Sequence, residues 1–245
     1  MTDRPIAIMW FRNDLRLADN PALRAATQWA RENDGVVLPV FILDPVISDQ
    51  LGGATRWWLE KSLTVLDRAI AELGDVSANM VENGALRLFV GKSSDTLDTI
   101  IESQPVGALF WNRLYDKPSI TRDTEIKAAM MDRGLTCESF KAQLLFEPWE
   151  VKTGGGTDFK VFSPFWRACQ KAPPPRAPFK APETITLCDQ DIKGQVDLRT
   201  LDLSPKPFDW AEGLSERFTP GEKGAMDQLF DFIDDRLQDY ADLRD

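Results

Sequence analysis

Three charged residues, Arg12, Asp14 and Arg16, stand at alternate positions just after an apolar run, Ile6–Phe11, that has the length of a buried strand. Such side chains at the carboxyl end of a strand can line a ligand pocket or pair with one another at the domain edge; the ion-pair network is the favoured reading. Asn112 stands at the end of another apolar run, in Phe110-Trp111-Asn112-Arg113. Its amide can meet the polar edge of a heterocycle or cap a turn. Tyr240 and Arg244 are spaced i and i+4, on one face of the last helical pattern. By type alone they are a surface aromatic and a cation near a helix end. Gly154-Gly155-Gly156 lacks the Lys-Ser/Thr of a phosphate loop and reads as a plain turn.

Histidine is absent from the 245 residues. That removes Ser-His-Asp and Cys-His nucleophile systems, HExxH metalloprotease sites and most catalytic zinc sites. Any chemistry must use carboxylates, amides, aromatics or a cofactor. The turn after the first run is Arg12-Asn13-Asp14-Leu15-Arg16, where a dinucleotide fold would carry GxGxxG, so NAD-dependent dehydrogenation is excluded. The missing early glycine loop also argues against a hydrolase of adenosine phosphates. Cys137, Cys169 and Cys188 are odd in number and far apart, which suits neither a disulfide framework nor a zinc site. No metal is expected. With no spanning apolar run and no leader pattern, the expectation is a cytoplasmic protein that does not enter a membrane.

The net charge of −10 has the wrong sign for a chain that grips DNA alone. The excess is uneven. Acids far outnumber Lys223, Arg236 and Arg244 after Thr219, whereas bases dominate between Lys141 and Pro182. The acidic total argues against this chain gripping DNA alone, without excluding DNA as the target of a larger assembly.

Several elements must position these residues. Runs at Ile6–Phe11, Val36–Leu43, Leu86–Val90, Ala108–Asn112 and Thr136–Phe140 are expected strands. Asn20 stands where a helix N-cap is wanted, with Pro21 at the first helical position. Leu59, Leu63, Leu66, Ile70 and Leu73 form one helical face, and Leu97, Ile100 and Ile101 another, with Ser93-Ser94 as its expected cap. Ile120–Met131 is a further helix, ended by Gly134. Trp57 and Trp58 are expected to pack in the core and on a helix face rather than as a stacking platform. Strands alternating with helices imply an α/β fold with a doubly wound, parallel five-stranded sheet. From Ala172 to about Pro220 the chain reads as a long connector, pinned by Phe208 and Trp210. Pro220 to Arg244 reads as one helix with Met226, Leu229, Ile233, Leu237 and Tyr240 on a stripe.

Wording as well as pattern is informative. Trp10-Phe11-Arg12-Asn13-Asp14-Leu15-Arg16-Leu17, with Asp19-Asn20-Pro21-Ala22-Leu23, resembles the opening of the DNA photolyase/cryptochrome family. Val40–Pro45, Arg56-Trp57-Trp58-Leu59, Trp111-Asn112-Arg113 with Arg122-Asp123, and above all Leu144–Pro148 through Thr153–Gly156 to Phe159–Arg167 carry the resemblance onward. Phe218-Thr219-Pro220-Gly221-Glu222 is similar to the start of the family's second domain.

The resemblance implies a Rossmann-like antenna domain (core 1–140, remainder 141–171), a connector over 172–219, and at 220–245 the start of an all-helical FAD-binding domain that is otherwise absent. It implies light-driven repair of cyclobutane pyrimidine dimers, in which reduced FAD donates an electron to the flipped-out dimer. The chain then supplies the antenna half, inactive alone, for methenyltetrahydrofolate or a deazaflavin. By the same resemblance Tyr240 is a first FAD contact, Arg244 lies near the DNA strand, and Asn112 and Asp116 approach the antenna. No catalytic residue is assigned. A monomer is expected. A cryptochrome-type photoreceptor fragment and a stand-alone pterin- or nucleotide-binding module are the alternatives.

Overall fold

A computed structural model of the chain describes residues 4–74, 84–204 and 210–243. Five strands, β1 (Ile6–Phe11), β2 (Val36–Leu43), β3 (Arg87–Val90), β4 (Val106–Asn112) and β5 (Thr136–Phe140), form one parallel sheet in the order β3-β2-β1-β4-β5. Every residue of β1 and β2 is buried, as the continuous apolar runs demand of strands covered on both faces.

Alternation along the strands divides the core in two. Ala7, Met9 and Phe11 face a layer with Leu23 and Ala26 of α1 (Pro21–Glu32), beside Leu63, Leu66 and Ile70 of α3 (Gly53–Leu73). Between those helices lies a single turn, α2 (Pro45–Ser48). Ile6, Ile8 and Trp10 face the opposite layer, with Leu97 and Ile100 of α4 (Ser93–Ser103) and Ile126 and Met130 of α5 (Lys117–Asp132). Gly107 of β4 permits the close approach of α1: a Cβ there would lie 2.5 Å from the Trp29 ring.

The N-cap of α1 is as the sequence requires, with Asn20 Oδ1 accepting from Leu23 N–H at 3.1 Å ahead of Pro21. That of α4 is not. Ser93 lies inside the helix, Lys92 holds the cap position with no side-chain bond, and Ser93 donates from its N–H (3.0 Å) and Oγ (2.7 Å) to Asp44 Oδ2. A carboxylate from the end of β2 does the capping, which no local pattern reveals.

The stretch read as connector contributes to the core. Ile185, Leu187, Cys188, Ile192 and Leu201 are buried there. Val37 donates to Thr186 O at 2.8 Å and Cys188 to Val37 O at 2.8 Å, while β3 pairs with β2 only from Val40 onward. Pro39 stands at that junction, where its missing N–H separates the two ladders without breaking either. Trp210 lies against Gly53, as the pinning role expects; Phe208 lies outside the described residues.

Beyond Lys141, α6 (Phe162–Lys171) buries only Cys169, and α7 (Glu212–Arg217) buries nothing. The helix expected over Pro220–Arg244 is in pieces. α8 (Glu222–Asp231) runs into a π-turn over Phe232–Arg236, where Leu237 N–H reaches back five residues to Phe232 O at 2.8 Å, and α9 (Tyr240–Leu243) follows. Met226, Leu229, Ile233, Leu237 and Tyr240 are all exposed to about half their area.

Candidate functional site

The carboxyl ends of β1 and β2 open into a cleft of about 790 Å³. Trp10 and the turn 12–16 line it from β1, and Phe41–Asp44 from β2. Trp58, Leu59 and Ser62 of α3 form one wall; Gly221, Glu222, Ala225 and Met226 form another at the start of α8. Pro178 and Phe179 close a third side. Much of this lining is aromatic or aliphatic, with charge concentrated at the strand ends, as a site for a flat, partly polar ligand requires.

Glu222 fixes the α8 wall. Its Oε2 accepts from Leu17 N–H at 2.8 Å and its Oε1 from Ala18 N–H at 3.1 Å. Gly221, with φ of 95°, delivers it there against Val65, whose Cγ1 would stand 2.5 Å from any Cβ; only glycine suits both demands.

The charged turn proves to be a network and a pocket wall at once. Arg12 Nη1 meets Asp123 Oδ2 at 2.6 Å, and Asp123 Oδ1 meets Arg122 at 2.9 Å. The guanidiniums of Arg12 and Arg122 lie 4.8 and 5.1 Å from the Trp10 ring centroid, within cation–π range. Arg16 donates instead to the carbonyls of Asp19 and Ala142, each at 2.9 Å, and ties the turn to the chain beyond β5.

Asp44 joins this charged group from the end of β2. Burial works against its ionised form, but the Ser93 hydroxyl and N–H, the Val46 N–H and Arg122 outweigh it and hold the carboxyl below its ordinary value. A depressed carboxyl contributes stability that is present above the unfolded value of 3.8 and is lost as pH falls through the lower folded value. Asp44→Asn is expected to cost about 1 kcal/mol at pH 7. In urea titrations the gap to the parent should close below pH 4. A gap unchanged down to pH 3 would show that the charge is not what matters.

Asn112 is buried at the switch point between β1 and β4. Its Nδ2 donates to Asp14 Oδ2 and, at 2.8 Å, to Asn20 Oδ1; its Oδ1 accepts from Ala22 N–H at 3.2 Å, and its carbonyl from Arg12 Nη2. Of the two readings of this amide, the turn-capping one describes these contacts, and Asn112 does not line the cleft. Asp116 is the N-cap of α5, accepting from Ser119 N–H at 2.9 Å, and is exposed outside the cleft. Tyr240 packs its ring edge-on to Phe232, 5.7 Å between centroids, and is half-exposed. Arg244 lies outside the described residues.

Trp57 is buried and Trp58 lines the cleft, so the pair divides between core and site. Asp44, Arg122, Phe179 and Glu222 escaped the reading of single runs. Asp44 was accessible by the strand-end rule that selected Asn112; Phe179 and Glu222 come from distant segments and had no local signal. Among the described residues no cluster of His, Cys, Asp or Glu could hold a metal ion, and no helix is long and apolar enough to cross a membrane.

The model of the family described as DNA photolyase matches residues 7–183, which include all of the five strands but Ile6 and most of the cleft. The deoxyribodipyrimidine photo-lyase of Agrobacterium fabrum is 39% identical over 97% of this chain and 47% of its own length. Cryptochrome-1 of Arabidopsis thaliana is 32% identical over 97% of this chain and 33% of its own. Among solved structures, a bacterial class III photolyase from Agrobacterium tumefaciens superposes with a TM-score of 0.83 at 36% identity, over 98% of this chain and 47% of that one. The chain thus spans half or less of the length of these relatives. With the match covering the sheet, its order and the turn that builds the cleft, this chain belongs to the DNA photolyase family.

Proposed function

We propose that the chain is the antenna-binding α/β part of a light-driven DNA-repair photolyase, and that the cleft at the ends of β1 and β2 receives the antenna pigment. The cleft supports the reading: about 790 Å³, walled by Trp10, Phe41 and Trp58, with Asp44 and Arg122 among its lining. Methenyltetrahydrofolate and a deazaflavin have the size and shape for it. Asn112 serves this site from behind, by holding Asp14 and hence the turn 12–16. Asp116 serves it by starting α5, which carries Arg122.

For the whole protein, FAD supplies the photoinduced electron when bound, and damaged DNA is the substrate. Tyr240, half-exposed and outside the cleft, is the described residue assigned to FAD in this reading. Tyr240 as an FAD contact and Arg244 beside the DNA strand complete the proposal, with residues 220–245 opening the helical domain. A reducing, cytoplasmic setting suits the three buried free cysteines.

An absorption spectrum of the purified chain, with chromatography of what denaturation releases, tests the reading. The expected result is a near-ultraviolet or blue band from a pterin or deazaflavin, without FAD. Bound FAD would overturn the division of labour. A colourless chain that also refuses supplied pterin and deazaflavin would overturn the site.

A photoreceptor role is the second reading, favoured by the 32% identity to a cryptochrome over 97% of the chain. Repair of dimer-containing DNA under blue light, assayed with the helical domain present, separates the two. Failure there would move the reading to signalling.

A further inference from the structure

Arg24 and Arg31 stand two turns apart on the exposed side of α1, separated along its axis by about 10.5 Å at roughly 1.5 Å per residue. Together with Lys180, from the distant stretch after Ala172, they line a hollow of about 400 Å³ whose wall includes Gln28 and Phe179. Three cations thus share one depression, and none is neutralised. Arg24, Arg31 and Lys180 have no carboxylate within ion-pair distance among the described residues. Asp19 is taken up by Arg176 at 2.5 Å and by Phe179 N–H at 3.1 Å, and Glu32 accepts from Gln28 at 2.8 Å. Glu183, beside Pro182 in the chain, forms an ion pair with none of the three. In a chain of net charge −10 this is a local positive field.

Arg24 is already prepared for an oxyanion. Its guanidinium carbon lies 4.3 Å from the Phe179 ring centroid, and the group donates no side-chain hydrogen bond to a described residue. Stacking of this kind restrains the side chain and leaves its N–H fork free, in the geometry that meets two phosphate oxygens. Arg31 spends one N–H on Thr184 O at 3.1 Å and keeps the others. A single phosphate on the Arg24 fork would leave Arg31 two turns away, whereas linked phosphates can span both. Without an anion, the cations of α1 repel Lys180 across the hollow. A bridging anion turns that repulsion into attraction between the two segments.

We infer that this hollow is a ligand site in its own right, that it takes an anion with two linked phosphates, and that the bound anion ties residues 179–184 to α1. The inference is independent of what occupies the cleft. A nucleoside diphosphate and free diphosphate share the chemistry it requires.

The full chain is titrated with pyrophosphate by calorimetry, in metal-free buffer at constant ionic strength. One pyrophosphate should bind per chain, and the double variant Arg24→Gln, Lys180→Gln should weaken it about tenfold, the sum of several individually weak pairs. Lys180→Gln alone should weaken it severalfold. Since Lys180 forms no ion pair in the free protein, that variant keeps the test open should the double one unfold. Orthophosphate and citrate should bind at least about tenfold less tightly, having no second phosphate for Arg31. ADP binding more tightly than pyrophosphate would identify a nucleotide; equal binding would show that the diphosphate alone is read.

Chymotryptic cleavage after Phe179 requires this segment to leave α1. Saturating pyrophosphate should slow it severalfold in the parent and leave it unchanged in the double variant. No binding, equal binding by parent and double variant, or orthophosphate or citrate matching pyrophosphate would overturn the site. An unchanged cleavage rate in the saturated parent would overturn the tie.

Discussion

Arg12→Met is expected to destabilise the fold by about 3–5 kcal/mol, the range for removing one partner of a buried ion pair. Arg12 is 6% exposed, and its loss leaves Asp123 with Arg122 alone and the Asn112 carbonyl without its guanidinium. Methionine keeps the volume of the stem, so packing around Trp10 is preserved and the loss reads the charge. For a chain of this size the melting temperature should fall by something on the order of 10 °C. Arg12→Met with Asp123→Leu should recover part of it, because a buried pair replaced by apolar groups is often neutral, while Arg122 is left with Asp44 at 3.9 Å. Should the single variant melt within 2 °C of the parent, the pair is solvated and the network reading is wrong.

Asn112→Leu is expected to cost about 2–4 kcal/mol, since Asp14, Asn20 and the Ala22 N–H lose a buried partner together. Asn112→Asp keeps the shape and the acceptor for Ala22 but turns the donor toward Asp14 into a second carboxylate. It should be no more stable than the leucine variant at pH 7 and should recover as pH falls and one of the pair takes a proton. These measurements are made without ligand, and that makes them decisive. A residue whose only work is to touch the pigment would leave the apo-protein's melting point unmoved.

The contrast between these two residues shows what a sequence discloses. The strands were legible because β1 and β2 are buried on both faces and so are written as unbroken apolar runs. The Asn20 cap was legible because donor and acceptor lie three residues apart. Asp44 capping α4 was not, since its partner Ser93 is 49 residues away, and two adjacent serines offered a more local candidate. The π-turn at Phe232–Arg236 was equally hidden, because the apolar spacing there is helical whichever carbonyl each N–H chooses. For the site, the strand-end rule singles out a group of residues, but periodicity says nothing about which of them face the cleft and which face each other. The switch point is filled by Asn112, Asp14 and Asn20 themselves, and the cleft lies beside it, over β1 and β2.

The Glu222 clasp has a thermodynamic corollary. One carboxylate on two successive amides fixes the direction of α8 as well as its position, so the helix cannot swivel on a single bond. Because Ala225 and Met226 of that helix also line the cleft, occupancy and helix docking share one free energy. Whatever holds α8 down raises affinity in the cleft by the same factor with which an occupant steadies α8. Dissociation of a bound molecule and release of the helix are then coupled events, and the residence time of the one reports on the anchorage of the other.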